Sequence, residues 1–319
     1  PCRPPTMEAL VIATVAFAGV PSWLLTSNSS FHAPILEPLS YPPKFQSKDA
    51  TPVVFMHGMG DAGSNPGMQS LAKTVTDAFP GKYAVAVDVA DGMASILEPM
   101  DAQLDAFVKA VRADKRLAGG FDAVGLSQGN LVVRAYIERV NDPPVRTFVS
   151  ICGPMEGIGT CPLNVLYEAI CPFWELDKYG ANIAFSGYWK DVHDKEGYLT
   201  QNAFLPDIGN ERAEKEATYR ANMASLRAYV LVKASVDSMI VPRETAHHAF
   251  WAWGDERTLV PMRESEGYKK DWIGLKTLDE SGRITELTFE GDHLRFSSSW
   301  WYANIIPLFA DDLDEPRAE

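Results

Sequence analysis

Apolar runs and amphipathic stretches alternate along most of the chain. Residues 53–56 (VVFM) form an apolar run that stops at a glycine-rich turn, the pattern of a buried strand. Residues 67–79 follow as a helix and residues 83–89 (YAVAVDV) as a second strand. Across residues 100–117, Leu104, Phe107, Val108 and Val111 fall on one helical face. A strand over 121–126, a helix over 128–140 and a strand over 147–151 continue the rhythm. This alternation predicts an α/β protein with a mostly parallel, doubly wound sheet, because parallel neighbours need a crossover and a helix supplies it.

The rhythm lapses over residues 153–225, where Pro, Trp, Tyr and Asn are frequent and no β-branched run occurs. That stretch reads as an inserted, largely helical lid. Strands resume at residues 228–234 (AYVLVKA) and 286–289 (ELTF), and an amphipathic helix over 298–309 closes the fold. The chain thus divides into a signal-like segment and connector (1–50), a core (51–152 and 226–310), the insertion (153–225) and an acidic tail (311–319).

Composition narrows the function classes. With 319 residues, 46% of them hydrophobic, the chain can bury a large core. A formal charge of -13 with no run of Lys or Arg argues against a nucleic-acid partner, which needs a clustered basic surface. Residues 9–20 (ALVIATVAFAGV) are apolar but fall short of the roughly 20 residues a membrane-spanning helix needs. With Ala16-Phe17-Ala18 they read as a secretory signal core, the plain alternative being a buried strand or helix. Asn28-Ser29-Ser30 is a glycosylation acceptor that secretion would permit. Of four cysteines, Cys161 and Cys171 are near enough in sequence to close a short disulfide loop in an oxidising compartment. Cys152 follows an apolar run and reads as a buried, inert thiol.

Gly125-Leu126-Ser127-Gln128-Gly129 has the G-x-S-x-G form, between an apolar strand and an apolar-periodic helix. Such a turn thrusts its serine into the open, so Ser127 is the candidate nucleophile, the alternative being a structural turn serine. A serine hydroxyl needs a base within reach and a carboxylate to orient that base. His293, in Glu290-Gly291-Asp292-His293-Leu294 just past the last strand, sits where the sheet's carboxyl edge would present it. His247 and His248 read as packing residues in a helix beside Phe250 and Trp251, and His193 as an exposed loop residue. Asp237, in the turn after residues 228–234, is the candidate acid. Its competitors are Asp255, on a polar loop, and Asp292, too near His293 in sequence to turn back onto its ring. The loop His57-Gly58-Met59-Gly60-Asp61 ends the first strand, and the backbone amides of Met59 and Gln128 are the candidate oxyanion donors. His57 itself reads as a structural hydrogen-bonding residue. No H-E-x-x-H and no paired cysteine spacing points to a metal, and this chemistry requires no cofactor.

The strings PVVFMHGMGD, AVGLSQG, LVKASVDSMIVP and EGDHL, in this order, resemble the palmitoyl-protein thioesterases, the type 1 branch more than type 2. GYWKDV, FLPDIGNER, GLKTLDESG and WWYANIIP extend the likeness over residues 52–309. The resemblance implies an α/β-hydrolase that removes long-chain acyl groups from S-acylated proteins or peptides, or from acyl-CoA-like substrates, in the lysosome. It also implies Ser127, Asp237 and His293 as its triad, with the Met59 and Gln128 amides as oxyanion donors. Departures are Asn130 in place of a second elbow glycine, Ala62 and Gly63 in place of cysteines, Val108 and Val140 in place of a disulfide pair, and Val236 in place of a glycosylation acceptor. An acyl chain needs an apolar groove, for which Leu166, Tyr167, Phe173, Trp174, Phe185 and Trp189 are candidates, or else they form the insertion's own core. The same triad would serve a lipase or carboxylesterase on oxygen esters, and an inactive lipid-binding relative is the reading from outside the enzymes. Free imidazole titrates near pH 6.5, so a histidine base predicts activity that rises from about pH 5 toward neutrality.

Overall fold

The computed structural model describes residues 32–37, 39–40, 43–45, 51–161, 178–179 and 183–310. The expected signal core, glycosylation acceptor, Cys171 and acidic tail lie outside them, as do Leu166, Tyr167, Phe173 and Trp174. Strands β1 (Val53–Met56), β2 (Ala84–Ala86), β3 (Phe121–Leu126), β4 (Val145–Ile151) and β5 (Ala228–Ala234) join one sheet. β6 (Phe250–Ala252) and β7 (Asp255–Val260) form a separate antiparallel hairpin, and β8 (Ile284–Phe289) completes the sheet. Its order is β2-β1-β3-β4-β5-β8, and every pairing in it is parallel. Around these lie helices α1 (Pro66–Ala78), α2 (Met100–Ala113), α3 (Gly129–Arg139), α4 (Lys195–Gln201), α5 (Ala217–Ala224), α6 (Leu275–Glu280) and α7 (Ser298–Asn304).

The strands read as unbroken apolar runs because both faces of the sheet are covered. Successive side chains of a strand point to opposite faces, and they divide accordingly between two cores. Val54, Met56, Phe121, Ala123, Tyr229 and Leu231 join Leu104 and Phe107 of α2 and Leu131 of α3. Val53, Phe55, Val124, Leu126, Val230 and Val232 join Met68, Leu71 and Val75 of α1 and Trp301 of α7. Pro66 opens α1, where its fixed φ suits a first turn and no N–H is missed.

Some boundaries differ from expectation. The helix expected over 100–117 ends at Ala113, and a 3-10 turn, Lys115–Leu117, follows with Asp114 accepting from the Arg116 N–H. The closing helix stops at Asn304, ahead of a 3-10 turn that contains Pro307. The helix expected around His247 and His248 is a 3-10 turn, Arg243–His247; left-handed His248 (φ 54°) ends it, and the chain enters the hairpin. Asp255 opens β7 rather than lying on a loop.

Between β4 and β5 the described residues hold a 3-10 turn (Phe185–Tyr188), α4, one helical turn (Leu205–Ile208) and α5. Among the described residues, no helix is long and apolar enough to cross a membrane. With β1 lying between β2 and β3, the connections leave β1 and β3 toward opposite sides of the sheet. The carboxyl ends of these two strands therefore flank a crevice, the usual place for a ligand in an open α/β sheet.

Candidate active site

Two loops meet at that crevice. The first is the turn from β3 into α3, where Ser127 is forced to φ 51°, a left-handed conformation a non-glycine residue rarely holds. The flanking glycines make the turn possible by absence of side chains. A Cβ on Gly125 would lie 2.5 Å from Asn130 Oδ1, and one on Gly129 would lie 2.3 Å from the His57 carbonyl oxygen. Asn130 is buried and sews the elbow together. Its Nδ2 donates to the Ser127 carbonyl and the Ile151 carbonyl, each at 2.9 Å.

The second loop, His57 to Asp61, leaves β1 and passes beneath the serine, so close that a Cβ on Gly58 would lie 3.0 Å from Ser127 Cβ. Among the described residues, neither the Met59 nor the Gln128 amide has an acceptor within the protein. Both residues line a small hollow together with Ser127, His293, Pro154, Ile158, Tyr188, Met239 and Ile240.

The imidazole and carboxylate arrive from the far side of the sheet. β5 and β8 are neighbours, and the loops leaving them are bound together by the Ser235 N–H to Phe289 O (2.9 Å) and the Val236 N–H to Gly291 O (3.1 Å). Asp292 completes the clamp: its Oδ1 accepts from the Ser238 and His293 amides, both at 2.7 Å, and its Oδ2 accepts from Ser238 Oγ at 2.8 Å. So held, Asp237 Oδ2 and His293 Nδ1 lie 2.8 Å apart with both side chains 2% exposed. Asp237 Oδ1 accepts the Met239 and Ile240 amides at 2.9 Å, which fixes the carboxylate plane. The structure brings Ser127, His293, Met59 and Gln128 to one hollow and joins Asp237 to the ring. Asp255 instead bonds within its own hairpin, to the Arg257 amide and Thr258 Oγ1.

The Gln128 side chain is a fixed part of the site that the motif alone does not reveal. Its Nε2 donates to Ser95 O (2.8 Å) and Gln103 Oε1 (3.0 Å), while its Oε1 accepts from the Tyr188 hydroxyl at 2.8 Å. Tyr188, from the insertion, is thereby locked over the elbow.

The hollow is only about 10 Å³, smaller than an acyl chain. Phe185 and Trp189 are buried in the core on either side of Tyr188, and Tyr188 rather than they lines the hollow. Pro154 and Ile158 face the hollow, whereas Glu156 between them lines a larger cavity of about 550 Å³ with Phe250, Trp251 and Lys190.

Cys152 is free and buried, as expected, and burial pushes its thiol up. Its Sγ lies within 4.8 Å of an Asp237 carboxylate oxygen and a His293 ring nitrogen. Cys161 is in a disulfide, and its expected partner lies outside the described residues.

A parallel doubly wound sheet, a serine on a strained strand-to-helix turn and a His–Asp pair beyond the neighbouring strands β8 and β5 define an α/β-hydrolase. The family model described as "Palmitoyl protein thioesterase" matches residues 52–293. The chain belongs to that family. It is 36% identical over 239 residues to a Dictyostelium discoideum protein named palmitoyl-protein thioesterase 3, covering 73% of this chain and 81% of that one. Palmitoyl-protein thioesterase 1 of Caenorhabditis elegans is 34% identical, with coverage of 81% and 91%. The human protein named lysosomal thioesterase PPT2 is 29% identical, with coverage of 79% and 83%.

Proposed function

We propose that this protein is a serine thioesterase that hydrolyses long-chain acyl thioesters, palmitoyl ones in particular, of S-acylated proteins, peptides or acyl-CoA-like molecules. The observation that carries this reading is the hydrogen-bonded His293–Asp237 pair, whose ring shares one hollow with a serine on the elbow. In this mechanism Ser127 Oγ attacks the thioester carbonyl as His293 Nε2 takes its proton. Asp237 holds the ring with Nδ1–H toward itself and stabilises the imidazolium that forms. The Met59 and Gln128 amides, which have no acceptor among the described residues, bind the oxyanion. Collapse expels the thiolate, a leaving group with an ordinary pKa near 8.5 that needs little proton assistance. The thiolate takes the proton back from His293; the neutral ring then draws a proton from a water that attacks the acyl-enzyme, and returns it to Ser127 Oγ as the fatty acid leaves.

The curated relatives' names support palmitoyl substrates, and the human relative's name supports a lysosomal site of action; the signal-like residues 9–20 are what support entry through the secretory pathway. We assign the acyl groove to the insertion, residues 153–225, acting as a lid. Burial of the chain there provides about 0.8 kcal/mol per methylene.

Mass spectrometry of the purified protein mixed with palmitoyl-CoA or an S-palmitoyl peptide tests the reading. A palmitoyl adduct on Ser127 that is absent from Ser127→Ala is the expected result. No adduct and no hydrolysis by the wild type would overturn it. An oxygen-ester analogue turned over faster than the thioester would make the protein a lipase or carboxylesterase.

A further inference from the structure

His57 lies under the oxyanion loop with an acceptor on each ring nitrogen. Nδ1 is 2.8 Å from Gly58 O, while Nε2 is 2.8 Å from Val89 O and 3.2 Å from Asp91 Oδ1. Carbonyl and carboxylate oxygens only accept, and a neutral imidazole has a single N–H. Both contacts are hydrogen bonds only if the ring carries two protons.

The surroundings favour that state. Burial pushes the imidazole down, but the Asp91 hydrogen bond, the Gly58 carbonyl and the charge of Asp61 outweigh it, leaving His57 above its ordinary value. Asp91 is correspondingly held low, chiefly by its bond to His57. The titratable groups facing the ring are Asp61, from its own loop, and Asp91, from the segment after β2. The same segment grips the loop twice more, through the Gly60 N–H to Ser95 Oγ (2.7 Å) and the Gly92 N–H to Asp61 O (2.8 Å).

We propose that His57 is a fixed imidazolium, with Asp91 as its counter-ion, and acts as a positioning residue that pins the Gly58–Met59 backbone beneath Ser127. The role rests on the thioesterase reading, since it concerns the loop that holds the oxyanion. Its sign follows from the raised titration: the charge is present at low pH and is lost as pH rises through the folded value. Deprotonation leaves Gly58 O or Val89 O without a donor and frees the loop from the segment after β2. Activity therefore has an alkaline limb set by His57, separate from the acid limb set by the general base.

The test is the pH profile of kcat and KM for palmitoyl-thioester hydrolysis by wild type, Asp91→Asn and Asp91→Glu, with nitrogen NMR of the histidine rings. Asp91→Asn should move the alkaline limb down by roughly one pH unit, a loss of about tenfold in kcat there, with KM and the acid limb unchanged. Asp91→Glu should restore it. NMR, with His57→Gln to assign the signal, should show both His57 nitrogens protonated at neutral pH. An alkaline limb that stays in place in Asp91→Asn, or one unprotonated His57 nitrogen at neutral pH, overturns the proposal. Absence of hydrolysis in every variant would instead count against the thioesterase reading, and the NMR result would still decide the charge of His57.

Discussion

Among the described residues, two histidines hold a carboxylate oxygen 2.8 Å from Nδ1, and only one of these two pairs lines the hollow at the elbow. In the first, His293 Nδ1 is 2.8 Å from Asp237 and the ring borders the hollow at Ser127. In the second, His248 Nδ1 is 2.8 Å from Glu156, but Nε2 is 2.8 Å from the Tyr229 hydroxyl and the ring is buried. Burial pushes His248 down further than Glu156 lifts it, so it is a neutral ring accepting from Tyr229 and donating to Glu156. Burial also opposes the charge of Glu156, yet the hydrogen bond from His248 and the charges of Lys190 and Arg134 hold it below the usual carboxylate range. The second pair is a saturated network: every polar atom of its ring already has a protein partner. Among the described residues, the second nitrogen of His293 has no protein partner and its ring shares the hollow with a serine held on a strained turn; this is what the proposed base requires and what His248 lacks.

This contrast can be broken by substitution. Asp237→Asn should lower kcat on the order of 10,000-fold, because the amide favours the wrong ring tautomer, while thermal stability changes little. Tyr188→Phe removes one hydrogen bond to Gln128, worth about 1 kcal/mol, and should lower kcat about fivefold in steady-state assays. Glu156→Gln should leave kcat within about twofold but destabilise the fold by about 1–3 kcal/mol, read by denaturant unfolding. If Glu156→Gln proved as damaging to kcat as Asp237→Asn, the division of the two pairs into base and strut would fail.

Much of the frame was legible because buried parallel strands are continuous apolar runs. The expected strands at 121–126 and 228–234 coincide with β3 and β5. The hairpin was not, since β7 (DERTLV) is exposed along nearly its whole length and lacks the apolar alternation that marks a strand. The helix expected to hold His247 and His248 beside Phe250 and Trp251 is instead a 3-10 turn that leads into this hairpin. At the site, chain order and strand ends singled out Ser127, Asp237 and His293. The Gln128–Tyr188 bond joins residues 60 apart, and the Glu156–His248 bond residues 92 apart. Nothing in local sequence registers such meetings, and the two acceptors around His57 are equally invisible without the fold. Asp292 shows the same limit from the other side. It was weighed as a rival acid, and its carboxylate instead clamps the loop that carries Asp237.

The most direct measurement of the central claim is fluorophosphonate labelling followed by peptide mass spectrometry, on wild type, His293→Ala and His248→Gln. The account predicts one adduct, on Ser127, formed in wild type and His248→Gln and abolished in His293→Ala. Labelling of Ser127 that survives His293→Ala but disappears in His248→Gln would contradict it.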